Sequence, residues 1–276
     1  MIEAAPIPSF LYGTAWKEER SEALTTLALE AGFRGIDTAN QRKHYFEVAV
    51  AKAVQSFVAA GAATRAELFL QSKFTFQDGQ DDRLPYDPKA PIAEQVRQSF
   101  ASSLEHFATP YLDSFVLHGP SSREGLQPAD VEAWRAIEAL AVDGKARFIG
   151  VSNVTLAQLR ELLKLARVKP RFLQNRCYAR TGWDREVRKL CNEHGVVYQG
   201  FSLLTANRKE LEQASVVSLA KRKGCSTSEL VFAFASAVGM LPLTGTSSKE
   251  HMRKDLDALA LKLEPAEVEL LEKIAG

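Results

Sequence analysis

The pattern that most restricts the fold of this 276-residue chain is an alternation, repeated eight times, of a short apolar run and a helical segment. The runs are "FLYGT" (10–14), "GIDTA" (35–39), "LFLQSK" (68–73) and "SFVLHG" (114–119), then "RFIGVS" (147–152), "FLQNR" (172–176), "VVYQGF" (196–201) and "MLPLTG" (240–245). Each stays nearly continuous in apolar residues until a polar end, which is how parallel strands buried on both faces read. Between them, Ile92, Val96, Phe100 and Leu104 recur at helical spacing, as do Leu156, Leu159, Leu163 and Ala166. Thr155 with Gln158 and Ser226 with Glu229 read as capping boxes at helix starts. Eight such units predict an α/β chain folded as a (β/α)8 TIM barrel, one domain over residues 1–276. The competing open, doubly wound sheet lacks a GxGxxG after the first strand. The longest irregular stretch, "TFQDGQDDRLPYDPKAP" (75–91), reads either as a functional loop or as a solvated excursion.

Bulk composition narrows the partners. A net charge of +1 argues against wholesale attraction to nucleic acid or to anionic membrane. No run of about 18 apolar residues predicts a membrane span. The opening "MIEAAPIPSF" has no basic region followed by an apolar one, so no signal peptide is expected. Three scattered cysteines without a CxxC pair suit reduced thiols and a cytoplasmic location, and argue against a disulfide framework or a structural metal site. Near-neutral charge leaves a monomer and a small homo-oligomer equally open.

Chemistry gathers at the strand ends, which in a barrel meet on one face. Asp37, Lys73 and His118 end the second, third and fourth runs. Ser152, Asn153, Gln174 and Phe201 end the next three. Each has a plainer reading: a turn cap for Asp37, a solvated rim lysine for Lys73, a satisfied core histidine for His118, a turn and helix cap for Ser152 and Asn153, core packing for Phe201. Together on one rim, an aspartate and a lysine offset the cost of burying either charge, and a histidine beside them points to acid–base work.

These residues resemble the aldo-keto reductases. "GFRGIDTA" is similar to that family's aspartate segment, "ELFLQSKF" to its lysine strand and "YLDSFVLHGP" to its histidine strand. "GKARFIGVSN", "KPRFLQNRCY" and "EHGVVYQGFSLL" resemble its nicotinamide-side segments, and the order is kept along nearly the whole chain. The resemblance implies reduction of small carbonyl substrates by hydride transfer, with Asp37, Lys73, His118 and a tyrosine as catalytic residues. The family's tyrosine usually stands about five residues after the aspartate; here that position is Arg42, and Tyr45 follows three residues later, as across a lengthened loop. Tyr45 is the expected proton donor, His44 a weaker substitute, with Lys73 expected to ease the phenol's ionisation.

For the cofactor the resemblance implies Gly13, Thr14, Ser152, Asn153, Gln174, Phe201, Ser202, Leu204, Thr244, Gly245, Thr246, Ser247, Lys249, His251, Arg253 and Asp255. Gly245 and His251 stand where the family commonly places a lysine and an arginine for the adenosine 2′-phosphate. Lys249, Arg253 and Lys254 are the nearby substitutes, so NADPH is expected, with NADH the alternative. Ser247 with Glu250 reads equally as a capping box. In "TANRKE" (205–210), which is similar to the loop over the pyrophosphate, Arg208 and Lys209 are either contributors or a solvated charge run. Trp16, Phe74 and Tyr86 are expected to wall the substrate side, or else to be plain rim packing. Many relatives close that side with a C-terminal loop; here "ELLEKIAG" ends the sequence, which suggests an open site with broad tolerance. Two other readings stand beside the reductase: a nucleotide-binding regulatory module with little turnover, and a Schiff-base enzyme using Lys73.

Overall fold

A computed structural model describes residues 6–275; the first five residues of "MIEAAPIPSF" and Gly276 lie outside the described residues. Eight parallel strands close into a barrel in sequence order, β1 (Leu11–Gly13), β2 (Gly35–Asp37), β3 (Phe69–Phe74), β4 (Leu112–Leu117), β5 (Ala146–Ser152), β6 (Phe172–Arg176), β7 (Val197–Phe201) and β8 (Leu241–Thr244). β8 pairs with β1 to complete the ring. The expected (β/α)8 barrel is therefore what forms, each observed strand overlapping its apolar run.

The outer layer holds α1 (Ser21–Ala31), α2 (Glu47–Ala59), α3 (Ile92–Phe107), α4 (Pro128–Val142), α5 (Leu156–Leu165) and α6 (Arg185–Glu193). It continues with α7 (Arg208–Leu211), α8 (Ala214–Lys223), α9 (Thr227–Ala237), α10 (Lys249–Asp257) and α11 (Pro265–Glu272). Both predicted capping boxes form: Thr155 and Ser226 accept from the backbone N–H of Gln158 and Glu229 at the starts of α5 and α9. No described helix is long and apolar enough to cross a membrane. None of the three cysteines is paired, and Cys177 and Cys191 are buried.

The barrel interior is layered because alternate residues of each strand point inward. At the floor lie Leu11, Phe69, Phe172 and Leu241, with Phe148 packed against them. Phe172 meets Phe69 and Phe148 edge-to-face, with ring centroids 5.6 and 5.7 Å apart, the geometry that aromatic quadrupoles favour. Gly150 makes room for this: a Cβ there would stand 2.7 Å from the Phe172 carbonyl oxygen. Two residues up, the same periodicity delivers polar side chains. In register, Gly13 stands beside Asp37 and Asp37 beside Gln71, while Ser152 stands beside Gln174 and Gln174 beside Gln199.

Near the opposite end Asp113, fully buried, accepts from Arg147 Nη1 at 2.6 Å and from the Leu70 backbone N–H at 3.0 Å, and pairs with the Arg65 guanidinium at 2.8 Å. Removing one partner of a buried pair strands the other's charge. Asp113→Ala is thus expected to lower unfolding stability by about 3–5 kcal/mol in urea denaturation; a loss under about 1 kcal/mol would show that the cluster is solvated in solution.

Candidate active site

The strand ends open into one cleft of about 790 Å³. Its wall takes Asp37, Tyr45 and His118 from the expected catalytic set. It also takes Gly13, Ser152, Asn153, Gln174, Phe201, Ser202, Leu204, Thr244, Gly245, Thr246 and His251 from the expected cofactor set, and Trp16 from the substrate set.

Lys73 lies just behind the wall, fully buried. Its ammonium donates to Asp37 Oδ1 and to the Thr38 carbonyl, both at 2.7 Å. Burial pulls the lysine's pKa below its ordinary value, and Asp37 offsets only part of that. A lysine so enclosed and doubly bonded is a poor Schiff-base nucleophile.

Tyr45 reaches the cleft because the segment after β2 turns back on itself. The backbone N–H groups of His44 and Tyr45 both donate to the Gln41 carbonyl, at 3.3 and 3.0 Å. The Trp16 N–H donates to the His44 carbonyl at 2.7 Å, tying this turn to the loop after β1. Arg42, at the family's usual tyrosine position, instead lies over the Phe46 ring at 3.9 Å and faces Glu18 and Glu19. The Tyr45 ring packs edge-on to His118, centroids 5.7 Å apart, with Lys73 Nζ 5.3 Å from the ring's centre. No hydrogen bond joins its hydroxyl to Lys73 among the described residues. The expected easing of ionisation is not seen: burial, and then the Asp37 carboxylate, drive the Tyr45 pKa upward. The phenol is held as a phenol, a proton carrier at neutral pH.

His118 is fixed from behind. Its Nδ1 lies 2.7 Å from the Thr75 hydroxyl, while Nε2 has no partner among the described residues. Burial, then the Lys73 charge, hold its pKa down to about 3, so the ring is neutral. We assign the threonine as the donor to Nδ1, which puts the ring proton on Nε2 and makes His118 a neutral donor toward the cleft.

Several expected residues lie elsewhere. Phe74 follows inward-facing Lys73 and so points the other way; it packs against Phe76 and Tyr86 in the core. Tyr86 is buried too, its hydroxyl donating to the Thr75 carbonyl at 2.8 Å. Neither walls the cleft, and the 75–91 segment that carries Tyr86 is a packed excursion. Thr14 is fully buried, its hydroxyl on the Asp37 carbonyl at 3.0 Å. Asp255 stands behind Thr244, accepting from its hydroxyl at 2.8 Å, and burial raises its pKa to about 6. Ser248, not Ser247, caps α10 by accepting from the His251 N–H. Lys249 pairs outward with Glu30 at 3.1 Å and Lys254 with Glu250 at 2.7 Å, while Arg253 is exposed on α10 outside the cleft.

Two basic residues of the cleft, Lys17 and Arg176, carry no motif signal in the sequence, and Arg208 joins them. Lys17 is buried beside the cleft and donates to the Gly245 carbonyl. Arg176 and Arg208 also line it. None of the three has a carboxylate partner among the described residues, so the cleft carries uncompensated positive charge. Trp16, 67% exposed, stacks on His44 with centroids 4.0 Å apart, an open aromatic platform beside Tyr45. Its backbone is left-handed, φ 61°, a strained setting for a bulky residue that concentrates at ligand sites.

The sequence model of the Aldo/keto reductase family matches residues 11–275. This chain belongs to the Aldo/keto reductase family. It is 26% identical to an NAD/NADP-dependent indole-3-acetaldehyde reductase of Schizosaccharomyces pombe, over 96% of this chain and 90% of the relative. It is also 26% identical to a glyoxal reductase of Bacillus subtilis, over 97% and 89%. Among solved structures, an aldo/keto reductase from Brucella melitensis superposes with a TM-score of 0.80 at 25% identity, covering 97% of this chain and 95% of the other. A Bombyx mori aldo-keto reductase in complex with NADP superposes with a TM-score of 0.81 at 21% identity, covering 98% and 93%. The family uses nicotinamide cofactors, and this membership together with the reductase relatives supports carbonyl reduction by an oxidoreductase.

Nitrogen-15 NMR checks the histidine. His118 is expected to stay neutral, its proton on Nε2, at every pH well above about 3. Thr75→Val should release the Nδ1–H tautomer and Thr75→Ser should restore the original. An imidazolium signal appearing near the ordinary value of about 6.5 would contradict this.

Proposed function

We propose that this chain reduces aldehydes and ketones to alcohols, with NADPH as the hydride source and Tyr45 as the proton donor, over a broad range of carbonyl substrates. The observation that carries the reading is the meeting, in one cleft, of Tyr45, the neutral donor His118 and the buried Asp37–Lys73 pair, with Ser152, Asn153, Gln174 and Phe201 in the same wall.

The residues present fit a dinucleotide. Gln174 Oε1 has no partner among the described residues and is not sealed from the cleft. It can accept from a carboxamide, while Ser152 and Asn153 stand beside it. Phe201 offers a π face for stacking. Lys17, Arg176 and Arg208 supply charge for phosphates, and the first turn of α10 supplies the N–H groups that Ser248 does not cap. With Lys249 and Lys254 turned to acidic partners, the preference for NADPH over NADH rests on this cation set and on His251. When bound, a reduced nicotinamide supplies the hydride.

The chain's own residues do the rest. His118 Nε2–H donates to the substrate carbonyl oxygen and orients it. As negative charge grows on that oxygen, preorganised donors stabilise it, and Tyr45 delivers its proton there. The phenol's high pKa keeps that proton in place until an alkoxide, a far stronger base, draws it. Lys73, kept charged by Asp37, lies over the ring and offsets the charge left on the phenolate. Trp16 and His44 receive the substrate on an open plane, which suits substrates of varied shape.

One feature favours a nucleotide-binding module with little turnover: Tyr45 lacks a hydrogen bond to Lys73. The two readings part in a single experiment. With NADPH and an activated aromatic aldehyde, the wild-type chain is expected to consume NADPH faster than NADH and to yield the alcohol. Tyr45→Phe is expected to lose roughly 10²–10⁴-fold in kcat with little change in dinucleotide affinity. Tight binding without consumption by the wild-type chain would support the module, and turnover retained in Tyr45→Phe would remove the tyrosine from its role.

A further inference from the structure

Beneath the cleft, three glutamine side chains and Asp37 form a closed ring of hydrogen bonds across the barrel. Gln71 is 1% exposed, Gln174 3% and Gln199 0%. Gln71 Nε2 donates to Asp37 Oδ1 at 2.7 Å and to Gln199 Oε1 at 2.8 Å. Gln199 Nε2 returns a bond to Gln71 Oε1 at 3.0 Å, so these two amides form a cyclic pair. Gln174 Nε2 donates to Asp37 Oδ1 at 3.0 Å and to Gln199 Oε1 at 2.9 Å.

An amide side chain can be turned either way, but an ionised carboxylate only accepts. Asp37, beside the Lys73 ammonium, therefore sets the direction of the whole ring. It takes the NH2 of Gln71, which leaves the Gln71 oxygen for the Gln199 NH2. That in turn points the Gln199 oxygen at Gln174. Both N–H bonds of Gln174 are then used inward, one on Asp37 and one on Gln199. Only its oxygen is left for the cleft.

We infer that Gln71 and Gln199 are positioning residues: they lock the Gln174 amide so that it shows the cofactor an acceptor and never a donor, and so select a nicotinamide ring that carries an amide NH2. This deepens the proposed function and rests on the dinucleotide reading. Reversing the Gln174 amide would set its oxygen against the Asp37 and Gln199 oxygens, two repulsive contacts in a dry interior where electrostatics are strong. The cyclic pair keeps Gln199 from turning to relieve them. The Asp37 charge thus reaches beyond Lys73 to the ligand-facing side of the barrel.

The test compares the reduced natural dinucleotide with its 3-acetylpyridine analogue, in which a methyl group replaces the carboxamide NH2 and the carbonyl is kept. Affinities are measured by fluorescence titration of the full chain. Wild type is expected to bind the analogue about 3–10-fold more weakly, the worth of one hydrogen bond. Gln71→Met and Gln199→Met, which keep side-chain length but break the ring, are expected to bring that ratio toward one. A merely structural role would weaken both ligands alike and leave the ratio unchanged; that result overturns the inference. A wild-type ratio near one overturns it as well, with no need for any variant to fold. If the wild-type chain binds neither dinucleotide, the cofactor reading itself fails and the inference falls with it.

Discussion

Two opposite charges held out of water at the mouth of the barrel are the constraint on which the rest depends. The side chains of Lys73 and Asp37 are 0% and 3% exposed and meet at 2.7 Å. Desolvating each ion costs several kcal/mol, and mutual attraction offsets that only when the remaining hydrogen-bonding capacity is also met. Here several strands contribute to meeting it. Lys73 gives a second bond to the Thr38 carbonyl, and Asp37 Oδ1 takes two more from Gln71 and Gln174. Only a closed barrel brings β2, β3, β6 and β7 to one axis, so fold and charge pair require each other. Below them lies the buried apolar floor of Leu11, Phe69, Phe172 and Leu241.

From this pair the character of the site follows. Burial, and then the lysine charge, hold His118 neutral, so the ring donates without carrying charge of its own. Burial and the aspartate keep Tyr45 protonated. The glutamine ring carries the same charge to the other side of the cleft. Higher up the cleft, Lys17, Arg176 and Arg208 have no acidic partners among the described residues, and the chain's near-neutral total charge conceals this local excess.

Much of this was legible along the chain because its cause is local. Apolar runs ending in polar residues mark parallel strands, and Asp37, Lys73, His118 and Gln174 lie at the ends of four of them. The rest depended on direction and on distance. Phe74 was expected in the cleft although it adjoins Lys73, and side chains alternate along a strand, so both cannot face inward. Gln71 and Gln199 interrupt apolar runs, a sign that the barrel interior is polar at that height, but their partners lie on other strands. Lys249 was expected to hold a phosphate; its actual partner, Glu30, is 219 residues away in sequence. Lys17 reaches the Gly245 carbonyl 228 residues on, and a Cβ at position 245 would stand 3.5 Å from its ammonium. Contacts of that kind are written in the closure of the ring between β8 and β1, which no local pattern encodes.

The most direct measurement is a crystal structure of this chain with NADPH bound. The account predicts the nicotinamide against Phe201, its carboxamide nitrogen within hydrogen-bond distance of Gln174 Oε1, and the Tyr45 hydroxyl opening onto the hydride-bearing face beside His118. A dinucleotide lying away from Phe201 and Gln174, or a Tyr45 hydroxyl turned from that face with no other donor in its place, would contradict it.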